Sequence, residues 1–288
     1  MTFQSGKSQD DIQREIDLWI NLESCLKPNS IPKFYGFKKE SLGFTGISFH
    51  LIFDYFPKSL QSLLENLRNK KTPYPLNFKK LQLYANSLID SLAYLQSMKV
   101  CHRDLKPANL LLDEAEEQIY LIDLGESKEF IAFAPTQTKV DLTVAGSPKY
   151  FSPELDQAFK NNDQKVEINP FKSDVFSLGL VFLELATLEV PQKDQDLTIW
   201  EKNIKKAMRN FKKTYEPLLT DEADKKELMD FLMMMKKCLQ VDPKCRPDFV
   251  RLFYRSLRYV TPESFRQHIL FKEKGIDFLS NEKGDSFK

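Results

Sequence analysis

The sequence predicts an α+β chain in two unequal parts, a short N-terminal region of one helix and two strands followed by a larger, mainly helical body. Three observations predict it. Asp10–Glu23 places Ile12, Ile16, Trp19 and Ile20 at helical spacing, with Ser8 and Asp11 as a capping pair. Ile31–Phe37 and Ile47–Tyr55 are short, aromatic and β-rich, and a glycine-containing turn separates them. Thereafter helical periodicity dominates: Phe78–Met98 carries apolar residues at helical intervals, Phe176–Leu188 is apolar on most faces, and Glu227–Leu239 is amphipathic.

The chain has 288 residues, enough for one large domain or two lobes around a substantial core. Hydrophobic residues make up 42% and charged residues 29%, a composition of ordinary globular proteins. A formal net charge of +1 offers no global field for nucleic acid or a membrane surface. The cysteines at 25, 101, 238 and 245 are scattered without metal-ligand spacing, which fits a reducing compartment. The first ten residues are polar and carry no secretory leader. The longest apolar stretch, Phe176–Val190, contains Gly179, Glu184 and Glu189 and reads as a buried helix, not a membrane span. The expectation is an intracellular, cytoplasmic protein.

Residues 101–125, CHRDLKPANLLLDEAEEQIYLIDLG, carry the chemistry. Asp104 precedes Lys106 by two residues, Asn109 follows, and a second carboxylate, Asp123, closes the segment. The apolar runs Leu110–Leu112 and Ile119–Ile122 bracket an acidic turn, as in a short hairpin beneath a cleft. This segment resembles the catalytic loop and metal-binding motif of eukaryotic protein kinases. Further matches follow in order from Ile12 to Leu257. Glu15 resembles the N-lobe helix glutamate, Asp123–Gly125 the DFG motif, Ser152–Glu154 the APE motif, DVFSLG at 174–179 an anchoring-helix start, and Asp242–Pro247 a late DPxxRP element.

The resemblance implies a protein-kinase-like two-lobe fold with an incomplete β N-lobe at 1–57, a helical catalytic C-lobe at 58–260, and a polar, partly disordered extension at 261–288. It implies a serine/threonine-protein kinase using ATP and Mg²⁺ on a protein hydroxyl. Asp104 would orient that hydroxyl and accept its proton, and Lys106 would meet the γ-phosphate. Asn109 and Asp123 would supply hard oxygen ligands for Mg²⁺. Leu111 would floor the adenine pocket, Phe53 would stand at the gatekeeper position, and the hinge Asp54–Tyr55–Phe56 would meet the adenine edge. Glu154 would pair with Arg246 in a buried ion pair, and Asp174 would brace the catalytic loop from below. Thr143 is the implied activation-loop phosphorylation position, with Arg103 and Lys128 as its cations, and Ser147 the hydroxyl contacting Asp104 and Lys106.

Three departures and three further segments stand beside these matches. Leu124 replaces the usual phenylalanine after Asp123, and Trp19, one turn after Glu15, would touch it and fill the volume it leaves, or else simply bury its own ring. Ahead of Glu15 the sequence offers Gly6 alone, so neither the glycine-rich loop nor the strand lysine of the family is visible. The expected consequence is weak ATP binding by this chain. The alternative is a catalytically weak kinase-like scaffold acting through protein binding. Thr136–Pro153, polar and flanked or interrupted by prolines at 135, 148 and 153, reads as an exposed functional loop. Lys202, Lys205, Lys206, Arg209, Lys212 and Lys213 read as a solvated helix face, with an acidic docking site as the sharper alternative. Met229 and Met233–Met235 read as helix core.

Overall fold

A computed structural model describes residues 8–25, 27–41, 47–70, 76–130 and 139–256. Helix α1 spans Gln9–Glu23, and its start is set by the expected pair: Ser8 accepts the Asp11 backbone N–H while the Asp11 carboxylate accepts the Ser8 backbone N–H, both at 3.2 Å. Its buried stripe of Ile16, Leu18, Trp19 and Leu22 faces strands β1, Phe34–Ser41, and β2, Ile47–Phe53. These strands pair antiparallel, with a bulge between Phe34 and Gly36. Strand β1 starts later than the residue pattern suggested. Pro32, inside the expected run, has no N–H to give to a ladder. The glycine-containing turn between the strands lies outside the described residues.

Trp19 packs edge-on against Phe53 at 4.8 Å and stacks on Phe34 at 6.2 Å. Its ring therefore joins helix to sheet, and Leu124 lies buried in the same core cluster.

The body begins at β3, Lys58–Ser59, and helix α2, Leu60–Asn69. Helix α3, Phe78–Ser97, follows, then β4, Val100–Cys101. Strands β5, Leu110–Leu112, and β6, Ile119–Leu121, form the expected hairpin, with β3 as the third strand beside β5. Strand β7, Lys128–Glu129, pairs with β4.

The segment expected as an exposed polar loop is built differently. Its described part contains β8, Val140–Thr143, paired antiparallel with β9, Lys165–Ile168, across helix α4, Pro153–Lys160. Leu142 is buried with Phe151, Leu155 and Ile168, because Val140, Leu142 and Val144 alternate with Asp141 and Thr143 in a period-two pattern. Residues 131–138 lie outside the described part.

Helix α5, Pro170–Thr187, is buried from Pro170 to Ala186 and forms the axis of the body. It starts at Pro170, six residues ahead of the apolar run, because Asn169 caps it and Pro170 occupies the first turn without losing a needed N–H. Helices α6, Leu197–Tyr215, α7, Glu222–Cys238, and α8, Phe249–Ser256, complete it. On α7 the methionines divide: Met235 is fully buried, whereas Met229 and Met233 are nearly half exposed, which corrects the all-core expectation. On α6, Lys205 pairs with Glu201 and Lys212 with Glu216, while Lys202, Lys206, Arg209 and Lys213 face solvent. No helix among the described residues is long and apolar enough to cross a membrane.

Candidate active site

The loop that follows β4 is anchored from beneath. The backbone N–H groups of His102 and Arg103 donate to the two carboxylate oxygens of Asp174, at 2.7 and 2.9 Å, from the buried first turns of α5. Burial pushes the Asp174 carboxyl up to about 7, and these two N–H donors pull against that rise. His102 is fully buried, and burial pushes its pKa down, so the ring stays neutral. Its Nδ1 accepts the Asp104 N–H at 3.3 Å, and Nε2 donates to the Ile122 carbonyl at 3.0 Å. One imidazole thus ties the loop to the segment after β6 that carries Asp123.

Asp104 and Asn109 are buried, and Lys106 is partly buried between them. Lys106 Nζ donates to Asp104 Oδ2 at 2.6 Å and to Ser147 Oγ at 3.0 Å. A single 3₁₀ turn, Pro107–Asn109, aims the Asn109 amide nitrogen at the same carboxylate oxygen, at 3.0 Å, and at the Asp104 carbonyl, at 2.9 Å. Burial raises the Asp104 pKa, but the contacts with Lys106 and Ser147 outweigh it and hold the carboxyl below its ordinary value. Asp104 Oδ1 is buried and accepts no hydrogen bond among the described residues.

Asn109 and Asp123 are held side by side, because the Ile122 N–H donates to the Asn109 carbonyl at 3.0 Å. Asp123 is left-handed, with φ of 64°, an uncommon state for a non-glycine residue that recurs at functional sites. Its Oδ1 accepts the Gly125 N–H at 3.2 Å. With the Asn109 amide nitrogen turned to Asp104, its amide oxygen and the second Asp123 oxygen are the available donors. Two hard oxygens fit a divalent cation of the Mg²⁺ type, whose remaining ligands come from phosphates and water.

The other expected residues are distributed around this centre. Leu111 is buried in β5 opposite Tyr120 of β6. Phe53 ends β2, and Asp54–Tyr55–Phe56 follow without regular structure. The Asp54 carboxylate accepts from Tyr35 Oη at 2.8 Å, and Phe56 packs on Tyr120 at 4.2 Å. Glu15 is partly buried on α1.

Thr143 meets Arg103, whose guanidinium donates to its carbonyl at 2.6 Å and its hydroxyl at 3.0 Å. Lys128 makes no hydrogen bond to Thr143 among the described residues. Its ammonium lies 5.7 Å over the Phe130 ring. The Ser152–Glu154 segment is fastened by Arg246, which grips both Glu154 oxygens at 2.7 and 2.8 Å and has a side chain with 0% exposure.

Two features escaped the sequence reading. Gly146 has φ of 105°, and a Cβ there would collide with the Arg103 carbonyl, so glycine alone lets the segment before Ser147 lie on the catalytic loop. The second is Glu184, a fully buried carboxylate in α5 reached at 2.6 Å each by Tyr150, Lys149 and Arg68. A crevice beside the loop is lined by Arg103, Asp104, Thr143, Ser147, Tyr150 and Asp174.

Comparison with known proteins identifies the class to which this fold belongs. Residues 2–257 match the protein kinase domain. The chain is 28% identical over 247 residues to the serine/threonine-protein kinase BRI1-like 1 of Arabidopsis thaliana, covering 82% of this chain and 19% of that protein. It is 31% identical to the probable serine/threonine-protein kinase PBL5 of the same plant, over 68% of this chain and 46% of the relative. It is 32% identical to mitogen-activated protein kinase kinase kinase 5, over 57% of this chain and 20% of the relative. The chain thus spans less than half the length of each of these relatives. It belongs to the protein kinase family.

Proposed function

We propose that this chain transfers the γ-phosphoryl group of ATP to serine or threonine hydroxyls of proteins. The observation that carries the reading is the state of Asp104: ionised, buried, fixed at Oδ2 by Lys106 and Asn109, and with Oδ1 unengaged among the described residues. A substrate hydroxyl donating to Oδ1 would be aligned for attack on the γ-phosphorus. The new bond joins the hydroxyl oxygen to phosphorus, the bond to the β–γ bridging oxygen breaks, ADP departs, and the proton passes to Asp104. Lys106, between Asp104 and Ser147, places a cation where charge on the transferring group grows. Asn109 and Asp123 would hold Mg²⁺, which neutralises phosphate charge when bound. Leu111 and the Asp54–Phe56 backbone would receive the adenine.

Thermal-shift titration with Mg-ATP tests the binding half of this reading. Stabilisation follows ligand concentration over the dissociation constant, so nucleotide at saturating concentration should raise the midpoint of the chain. Asp123→Ala should remove that shift, and Asp104→Asn should largely keep it. Equal loss in both variants would contradict the separate roles assigned to the two carboxylates.

A further inference from the structure

In the ion pairs around the segment that follows Ser147, cations outnumber carboxylates, and the excess is the more exposed part. The carboxylates of these pairs are Glu154, Asp156 and Glu184. Against them stand Arg246 on Glu154, Lys160 and Lys193 on Asp156, and Lys149 and Arg68 on Glu184. Five cations therefore meet three carboxylates. Arg246 and Lys193 are committed inward, with side chains 0% and 18% exposed. The surplus sits on Lys149, Lys160 and Arg68, which are 50%, 38% and 32% exposed.

The position of Lys149 gives this surplus a use. It lies two residues after Ser147, whose hydroxyl shares the Lys106 ammonium with Asp104. A polypeptide presenting a hydroxyl to Asp104 would pass over it. Glu184 cannot serve as a reader of positive charge in the same place. It has no exposure, Oε1 already takes Lys149 and Arg68, and Oε2 takes Tyr150. A substrate cation would have to displace one of these partners and leave it unpaired.

We propose that this group of cations, with Lys149 foremost, selects protein substrates that carry an anionic side chain, carboxylate or phosphoryl, close to the acceptor hydroxyl. The inference rests on the kinase reading above and names its substrate class. The attraction acts between partly exposed groups, so its size is modest and it weakens with salt.

Peptide binding to the purified chain, read by fluorescence anisotropy, tests the inference without requiring catalysis. Four labelled peptides share one acceptor serine in a glycine–alanine context and carry aspartate, phosphoserine, arginine or alanine on both sides of it. The aspartate and phosphoserine peptides should bind about fivefold more tightly than the alanine peptide at low salt, with the arginine peptide weakest. That gap should shrink below about twofold at high salt and in Lys149→Gln. If Lys149→Gln unfolds, Lys160→Gln, whose charge pairs on the surface of α4, should narrow the gap in the same sense. Preference for phosphoserine alone would support a cation group that reads substrates already phosphorylated nearby. Equal binding of all four peptides, or tightest binding of the arginine peptide, would overturn the charge selection and leave the kinase reading standing. Failure of every peptide to bind would overturn the substrate groove itself, and the proposal with it.

Discussion

The Asn109 side chain donates to Asp104 twice, to its backbone carbonyl at 2.9 Å and to its carboxylate at 3.0 Å. The amide nitrogen is thereby a strut for Asp104, and the role proposed for its oxygen is to hold Mg²⁺ beside Asp123. Replacing the side chain would remove both. Asn109→Ala should lower the transfer rate by about 10- to 100-fold, the range expected when a supporting partner of a metal or catalytic group is lost. It should also raise the Mg²⁺ concentration needed for half-maximal rate. Steady-state kinetics across a Mg²⁺ series checks both, and an unchanged Mg²⁺ requirement would show that Asn109 is a strut alone.

Glu154 and Arg246 lie far apart in sequence and meet as a bidentate pair on a guanidinium with no solvent exposure. Arg246 also donates to the carbonyls of Gln240, Val241 and Lys172. Removing one partner strands the other charge, so Glu154→Ala should cost about 3–5 kcal/mol of stability. Denaturant unfolding of the variant beside the parent chain measures it. A loss below about 1 kcal/mol, the scale of surface pairs, would show that the site admits water.

Thr143 already holds Arg103 through its carbonyl and hydroxyl. A phosphate on that hydroxyl would replace a contact between the charged guanidinium and a neutral acceptor with one between opposite charges, which is stronger. Phosphorylated chain should therefore be more active than Thr143→Ala, while the two unfold at similar midpoints. Equal activity of the fully phosphorylated and alanine forms would remove Thr143 as a switch. Lys128, directed to Phe130, is expected to matter less than Arg103 in this response.

Asp174 and His102 make stability depend on pH in opposite senses. The Asp174 pKa rises to about 7 on folding, so its contribution is fully present below the ordinary carboxylate range and is lost as pH climbs towards 7. The His102 pKa falls, so its contribution is lost as pH drops through the ordinary histidine range. Comparison with Asp174→Asn isolates the first effect, since His102 is common to both chains. The stability advantage of the parent chain should be wider at pH 5 than at pH 8, narrowing by on the order of 1 kcal/mol per unit up to about pH 7 and little beyond it. An advantage that grows with pH would mean that the two backbone donors outweigh burial and keep Asp174 ionised.

Much of the site was legible because it is local. Asp104, Lys106, Asn109 and Asp123 lie on one loop and one hairpin, where spacing in the chain is close to spacing in the molecule. The Ser8 and Asp11 cap was legible for the same reason. Glu154 and Arg246 were placed together only through family resemblance, since no local rule joins residues so distant. Glu184 was not legible at all. In sequence it is one polar residue in an apolar helix, and its partners come from α2 and the turn after Ser147. The β8–β9 pairing was missed because four residues of alternation, set among threonines and prolines, resemble a loop until their partner strand is known.

In the proposed reaction Asp104 orients an acceptor hydroxyl for phosphoryl transfer. The most direct test is single-turnover transfer from labelled Mg-ATP to a serine peptide, at millimolar nucleotide, by the parent chain and by Asp104→Asn. The asparagine variant keeps the shape and the Asn109 and Lys106 surroundings but loses the charge and the proton acceptor. Transfer should be measurable in the parent and fall by at least about 100-fold in the variant, with Mg-ATP affinity within about twofold. Equal rates in the two chains, or a loss explained entirely by weaker nucleotide binding, would contradict the claim.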